Sequence, residues 1–459
     1  MTDRALNREI LRLSVPSIFA NLTVPLVGIV DTALAGHLTG GSAAAYIGGI
    51  SVGSMLLNLL YWNFFFLRTG TGGLTAQAFG RQDPHGSARI FVRGIGLAVG
   101  LSLLLLLLQR PLVRLGMLLV GATPEVCDLA LRYFLIRIWA APATIGLMVF
   151  RGWFVGMQDS MSSMWTDLVV NGVNIAASVV LSFGILGWGG MGFDGIPTGT
   201  VVAQYAGLAF AVLTCTLKYR KVLGTVAWSD LGDIFHWSQM RPFLKMNSNL
   251  VGRSLCFTAI YMGYTIIAAT FGDMLLACSS IMMQLLMIFS YFTDGFAYAG
   301  EALSGRFIGA RDEPMLRRTV RFVFLWSLGV AVLFIGVYYV MGVPVLHFFS
   351  SDQAVVDACS TFLPWLLIMP PVGCAAFTWD GIYLGATEAG SLFTSMLGAM
   401  IGFLGVWFAF SGLVPPGSDA CLHLLLAAYF VHLAFRAFWL SVLYKRKIRI
   451  AEMPDQSRA

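Results

Sequence analysis

Twelve separated runs of about twenty apolar residues fill most of this 459-residue chain, and that feature leaves it few folds to choose from. In hydrocarbon each backbone N–H and C=O must find its partner within the chain, so a run of this length crosses as an α-helix. The runs lie near 10–36, 44–67, 88–109, 124–148, 162–184, 196–217, 243–270, 275–300, 318–341, 355–377, 388–411 and 420–444. Hydrophobic residues are 58% of the sequence and charged residues 11%, a balance that rules out an ordinary soluble domain. The expected fold class is an all-α polytopic membrane protein with twelve transmembrane helices.

A net charge of +6 would suggest nucleic acid in a soluble protein, but here the cations flank apolar runs and set topology, so no nucleic-acid partner is expected. Arg4, Arg8 and Arg12 precede the first run, and Arg81, Arg89 and Arg93 flank the second loop. Lys218, Arg220, Lys221, Arg241 and Lys245 fill the central connection. Arg306, Arg311, Arg317, Arg318 and Arg321 follow the eighth run; Lys445, Arg446, Lys447 and Arg449 follow the twelfth. With an even number of crossings these all fall on one side, with Arg110 and Arg114 the exceptions. The expected placement is a multi-pass protein of the inner (plasma) membrane with both termini cytoplasmic. The segment Met-Thr-Asp-Arg-Ala-Leu-Asn-Arg-Glu lacks the pattern of a removable signal peptide, so the first run is expected to serve as the targeting signal. The seven cysteines are scattered and read as small core residues.

One offset recurs along the chain. Gly80 and Asp83 return as Gly309 and Asp312, Arg89 as Arg318, Pro142 as Pro371, and Gly152 and Gly156 as Gly381 and Gly385, always at 309 − 80 = 229 residues. Phe-Arg-Gly-Trp-Phe-Val-Gly-Met-Gln-Asp, from Phe150, has its counterpart in Trp-Asp-Gly-Ile-Tyr-Leu-Gly-Ala-Thr-Glu, from Trp379. Six runs per half implies two lobes of the same orientation, related by a pseudo-two-fold axis along the membrane normal. They are expected at 1–217 and 243–459, joined by a cytoplasmic connection at 218–242.

No Gly-x-x-x-x-Gly-Lys-Ser/Thr loop and no His-Glu-x-x-His set occurs, and the loops are too short for a catalytic domain. An enzyme is therefore not expected, nor any cofactor or metal beyond a coupling ion, H⁺ or Na⁺. Attention moves to polar residues inside the spans. The stretch Arg12–Gly40 carries one acid, Asp31, with Pro16 and Pro25. An acid in hydrocarbon costs about 2.5–3.5 kcal/mol on insertion scales, which marks Asp31 as a candidate ion-coupling carboxylate. The prolines each remove a backbone donor and are expected to loosen or bend the helix there, as hinges.

Asp167, Asn171, Asn174 and Ser178 form one stripe on the fifth span. Asn171 and Asn174 are placed to hydrogen-bond Asp31 or to glue helices together, Asp167 is expected as a solvated end residue, and Thr198 and Thr200 begin the sixth span at a similar depth to Ser178. On the eighth span Asp294 and Glu301 share a face. They either hold a proton or a cationic substrate or pair with Arg306 or Arg253. Arg68 is a buried cation expected to need one of these acids, and Asp380 is expected to shape the cytoplasmic end of the tenth span. Tyr261, Tyr264, Met282, Met283 and Met287 offer a soft wall for lipophilic ligands or ordinary core.

The chain resembles the MATE (multidrug and toxic compound extrusion) family, and its DinF branch in particular. The resemblance runs from about Leu11 to Lys445 and rests on Val-Asp-Thr-Ala-Leu-Ala-Gly at 30–36, Phe-Leu-Arg-Thr-Gly-Thr-Gly-Gly-Leu-Thr-Ala-Gln-Ala at 66–78 and Asn-Gly-Val-Asn-Ile at 171–175. Thr-Asp-Gly-Phe-Ala-Tyr-Ala-Gly-Glu-Ala at 293–302, Gly-Ala-Arg-Asp at 309–312 and Trp-Asp-Gly-Ile-Tyr-Leu-Gly-Ala-Thr at 379–387 complete it. It implies a secondary antiporter of two six-helix lobes, with Asp31 as first-helix coupling acid, Pro16 at the bend, Asn174 as the family's span-five asparagine and Thr200 as its span-six threonine. Where the family often carries a span-five aspartate this chain has Ser178, which favours proton coupling through Asp31 over a sodium site. The expected function is export of cationic or amphipathic drugs in exchange for H⁺, by a monomer surrounded by membrane lipid. The alternative is a flippase for a lipid-linked sugar or phospholipid, which would favour Arg68 on the path and Asp31 screened from it.

Overall fold

The structure, a computed structural model, describes residues 2–38, 42–117, 123–184, 189–349 and 352–448. Gly40 and Arg449 lie outside the described residues. All regular structure among them is helical, and twelve helices are long and apolar enough to cross a membrane. They are Asp3–His37, Ala43–Gly80, Pro84–Met117, Pro124–Gly156, Ser160–Phe183, Gly192–Lys218, Trp237–Ala269, Asp273–Gly309, Glu313–Phe349, Leu363–Gly385, Ala389–Leu413 and Asp419–Lys447. The second helix is interrupted by a turn at 63–65, and the fourth tightens into a 3₁₀ turn at Ile138–Ala140 just before Pro142. The tenth span needs correction: it runs Leu363–Gly385, and the residues expected to open it form a separate short helix, Gln353–Ser360. Asp352 caps that short helix through the Ala354 N–H (2.9 Å), and Pro364 opens the span that follows, because proline is preorganised for a first turn.

The chain divides into two compact units, Phe19–Arg241 and a second made of Met1–Ile18 with Pro242–Ala459. The division departs from the expected boundary at residue 217 and assigns the start of the first helix to the unit of the last six spans. The contacts explain why. Trp326 Nε1 donates to Asn7 Oδ1 (2.8 Å), and Arg306 and Arg318 lie 3.9 Å from Glu9 and Asp3 respectively. Gly295, lacking a side chain, lets the Ser14 carbonyl and Ile18 come close. The first helix is assigned as unbroken from Asp3 to His37 through both prolines. The change of unit falls two residues after Pro16, which is buried, whereas Pro25 is exposed.

The 229-residue offset has a structural counterpart within each unit. Among the described residues, Gln82 and Arg311, and likewise Gln158 and Thr387, are the non-glycine residues with positive φ, at 56°, 56°, 62° and 58°. Each follows a helix end, where a left-handed residue lets the chain reverse. Asp83 N–H then donates to Ala78 O (3.0 Å) and Asp312 N–H to Phe307 O (2.9 Å). The two aspartates cap the next helices by accepting from Gly86 N–H (2.8 Å) and Met315 N–H (3.1 Å). The repeated Gly-x-x-Asp is thus a stop signal followed by a start signal. Gly152 abuts the Arg68 carbonyl and Gly381 the Ala297 carbonyl, positions again 297 − 68 = 229 apart. The absent Cβ is what allows these helices to meet backbone to backbone, as small residues do in membranes.

Between the fourth and fifth spans Asp159 accepts from Ser162 N–H (3.2 Å), Ser162 Oγ (2.5 Å), Lys218 Nζ (2.6 Å) and Tyr219 Oη (2.7 Å).

Candidate functional site

In the Phe19–Arg241 unit the first span carries Asp31 to a position where it is 4% exposed. Its Oδ1 is buried and accepts no hydrogen bond. The charged group acting on it is Arg137 of the fourth span, which is engaged elsewhere: its Nη1 donates to Tyr133 Oη (2.6 Å) and to Ser54 Oγ (3.1 Å). Ser54 Oγ donates in turn to Tyr133 Oη (3.0 Å), and the buried Tyr61 hydroxyl lies within Arg137's influence and beside Thr144. A carboxylate with an unsatisfied oxygen faces the field of a guanidinium tied to hydroxyls, without the close ion pair that would fix it. Arg137, Tyr133, Tyr61 and Ser54 were missed from sequence. The rule that singled out Asp31, an ionisable residue inside an apolar run, applies equally to Arg137 in Phe-Leu-Ile-Arg-Ile-Trp-Ala.

The polar stripe of the fifth span is present but serves other partners. Asn171 Nδ2 donates to Thr23 Oγ1 (2.6 Å) and Asn174 Nδ2 to Thr200 Oγ1 (2.9 Å), so neither amide is given to Asp31. Asn174 Oδ1 is buried without a partner. Ser178 Oγ donates weakly to Ile196 O (3.4 Å) and nestles against Gly199, and Thr198 Oγ1 donates to Asp194 O (2.7 Å). Asp167 is not a solvated end residue. Its Oδ1 lies 2.6 Å from Arg151 Nη2, and Arg68 also acts on it electrostatically. Arg68 therefore has its acid within its own unit, and its guanidinium stacks over Phe65 at 5.3 Å.

In the other unit, Asp294 Oδ2 accepts from Ser290 Oγ (3.2 Å), and Glu301 is fully buried. Met282, Met283 and Tyr264 belong to the packed core there, and Tyr261 and Met287 lie partly buried against it. Arg253, expected near Asp294 or Glu301, instead donates from Nη2 to Asp380 Oδ2 (2.5 Å). Arg436 donates to the same oxygen, and its Nη1 lies 3.3 Å from Nε2 of His432, which is completely buried in mid-helix. Asp380 is thus the shared acid of two arginines, a larger role than shaping a helix end.

Twelve spans in two like halves, with ionisable groups held inside the hydrocarbon, define a multi-pass membrane protein of the transporter class. A profile of the MatE family matches residues 16–180 and 250–410, one segment in each half. The chain is 34% identical over 448 residues to DNA damage-inducible protein F of Escherichia coli K12, covering 96% of this chain and 93% of that one. It is 23% identical to Protein DETOXIFICATION 44, chloroplastic, of Arabidopsis thaliana, covering 87% and 75%. A crystal structure of a MATE protein in the bent conformation shares the fold with a TM-score of 0.85 at 15% identity, covering 98% of each chain. The outward-facing conformation of a multidrug resistance MATE family transporter gives 0.85 at 16% identity, covering 98% of this chain and 97% of that one. The chain belongs to the MatE family, and it is a membrane transporter rather than an enzyme.

Proposed function

We propose that this transporter exports cationic or amphipathic organic compounds in exchange for H⁺, with Asp31 as the carboxylate that takes up and releases the proton. The observation that carries this reading is the buried, unsatisfied Asp31 Oδ1 inside a membrane-spanning helix. A carboxyl held this way is costly when charged and undriven by a close counter-ion, so it changes charge readily when water or a cation reaches it. Ser178, where a second acid would support a sodium site, favours H⁺ over Na⁺. Names among the relatives point the same way: one, 22% identical over 410 residues, is described as a probable multidrug resistance protein of Photorhabdus laumondii. Asn174 and Thr200, joined to each other, would tune the same lobe, and Pro16 and Pro25 would let the first helix change shape between outward and inward exposure. The distribution of arginine and lysine supports an inner-membrane topology with both termini cytoplasmic, and the same reading takes the working unit to be a monomer. The flippase alternative needs Arg68 on the path of an anionic carrier, and Arg68 is buried, within the electrostatic reach of Asp167.

The test is reconstitution in liposomes with H⁺ and Na⁺ gradients imposed separately, following efflux of a cationic dye. Wild-type protein should respond to the H⁺ gradient alone, and Asp31→Asn should lose at least about tenfold in rate, the equivalent of about 1.4 kcal/mol. An Asp31→Asn protein that pumps at the wild-type rate ends the reading.

A further inference from the structure

The Asp380 cluster carries one more positive charge than its acid can balance. Asp380 Oδ2 accepts from Arg436 and from Arg253, so two guanidiniums and one carboxylate sum to a single positive charge among three spanning helices. Arg436 completes the structural pair by itself. Its side chain is 2% exposed, lies over the Phe377 ring at 5.6 Å and touches His432. Arg253 is the surplus cation and the open one: its side chain is 18% exposed, and its buried Nε has no hydrogen-bond partner. A guanidinium presents planar N–H pairs that match a carboxylate, sulfonate or phosphate, and Arg253 gives only one of its donors to Asp380. An unbalanced cation in hydrocarbon is costly, so an anion arriving at Arg253 relieves charge as well as forming hydrogen bonds. Phe257 and Tyr261 follow Arg253 at i+4 and i+8 on the same helical face, both partly buried, so an apolar body extending from the anionic group meets aromatic surface.

We propose that Arg253, braced by Asp380 and Arg436, is a binding site for the anionic group of an amphipathic molecule whose apolar part lies along Phe257 and Tyr261. This rests on the reading of the chain as an exporter of amphipathic compounds and widens it from cations to lipophilic anions. Two guanidiniums share the Asp380 Oδ2, so the cluster's surplus positive charge works against a cation there.

The experiment measures binding of 11-(dansylamino)undecanoate and of its uncharged methyl ester to the purified protein in phosphatidylcholine nanodiscs, by dansyl fluorescence. The wild type should bind the carboxylate at least about tenfold more tightly than the ester. Arg253→Gln should abolish that preference, and Arg253→Lys, which keeps the charge, should retain part of it. Equal affinity for acid and ester in the wild type overturns the proposal, and that comparison needs no variant to fold. Retention of the full preference in Arg253→Gln overturns it as well. Repeating the titration with phosphatidylglycerol in the disc separates the sources of the anion: competition against the carboxylate assigns the site to a lipid headgroup, and its absence to a free amphiphile. Wild-type protein that exports a cationic dye yet shows no carboxylate preference refutes this site and leaves the exporter standing. Carboxylate preference in a protein that exports nothing refutes the exporter instead.

Discussion

Substituting alanine for Gly381 tests the close approach on which each unit is built. A Cβ at Gly381 would sit 2.6 Å from the Ala297 carbonyl carbon and closer still to its oxygen; at Gly152 it would sit 2.9 Å from the Arg68 carbonyl carbon. Carbon atoms rest about 3.5–4.0 Å apart, so the tenth span would have to retreat from the eighth by about 1 Å. The obstacle is backbone rather than the end of a flexible side chain, so it cannot swing aside. Overpacking costs about 1–3 kcal/mol where neighbours relax, and a rigid neighbour puts Gly381→Ala at about 3 kcal/mol, with Gly152→Ala close behind. For domains of this size class 1 kcal/mol moves the melting midpoint by about 2–4 °C, so the expected loss is about 6–12 °C. The control is Gly28→Ala, where nothing lies within 4 Å of the new methyl group. There alanine should leave the midpoint unchanged or raise it slightly, since it orders a helix more cheaply than glycine. Tryptophan fluorescence during heating of detergent-purified protein reads all three. If Gly381→Ala and Gly152→Ala melt together with Gly28→Ala, the backbone-to-backbone meeting of these helices does not hold.

Two further outcomes follow from charged groups. Burial works to raise the Asp159 carboxyl, but the hydrogen bonds from Lys218, Ser162 and Tyr219 outweigh it and hold the group below the usual carboxylate range. With the folded value depressed, its stabilisation is full above the unfolded value of about 3.9 and is lost as pH falls through the lower folded one. Asp159→Asn should therefore be less stable at neutral pH by about 1–2 kcal/mol, most of it from the buried hydroxyl donors since Lys218 is half exposed. Melting at stepped pH should show that gap persisting until about pH 4 and closing below it; a gap that widens in acid refutes the assignment. Removing one member of the Arg151–Asp167 pair strands the other in the spans, so Arg151→Met or Asp167→Ala should each cost about 3 kcal/mol. Arg151→Met combined with Asp167→Ala should cost less than the two single changes summed, and strict additivity in this double-mutant cycle would show that the pair does not act as one.

The spans were legible because a bilayer admits one solution for an apolar run, and the duplicated Gly-x-x-Asp was legible because stop and start signals are local. Span ten was misjudged where locality failed: Gln353–Ser360 is apolar enough to continue a span, and only the break before Pro364 separates it. The acids were legible one by one and their partners were not. Asp31 announced itself, but Asn171 turns to Thr23 and Asn174 to Thr200 because hydrogen bonds are settled by which helices meet, which sequence spacing does not encode. Arg253 is one of two arginines the sequence offers as alternative partners for Asp294 and Glu301, whereas Asp380, 380 − 253 = 127 residues away, holds it. Arg137 and Arg436 stand out less because arginines flanking the spans are abundant and set topology, although Arg137 lies inside the fourth span, at its 3₁₀ turn, and Arg436 inside the twelfth.

The split of the first helix between two units bears on how the protein is made. Phe19–Arg241 is contiguous, so everything it needs has left the ribosome by mid-synthesis, and domains assemble as their segments emerge. The other unit joins Met1–Ile18 to the chain from Pro242 onward. Its first segment must wait in the bilayer until the spans carrying Gly295, Arg306 and Trp326 arrive to receive Ser14, Glu9 and Asn7. Biogenesis of this chain is accordingly lopsided, one half closing early and the other held open by its own leading end.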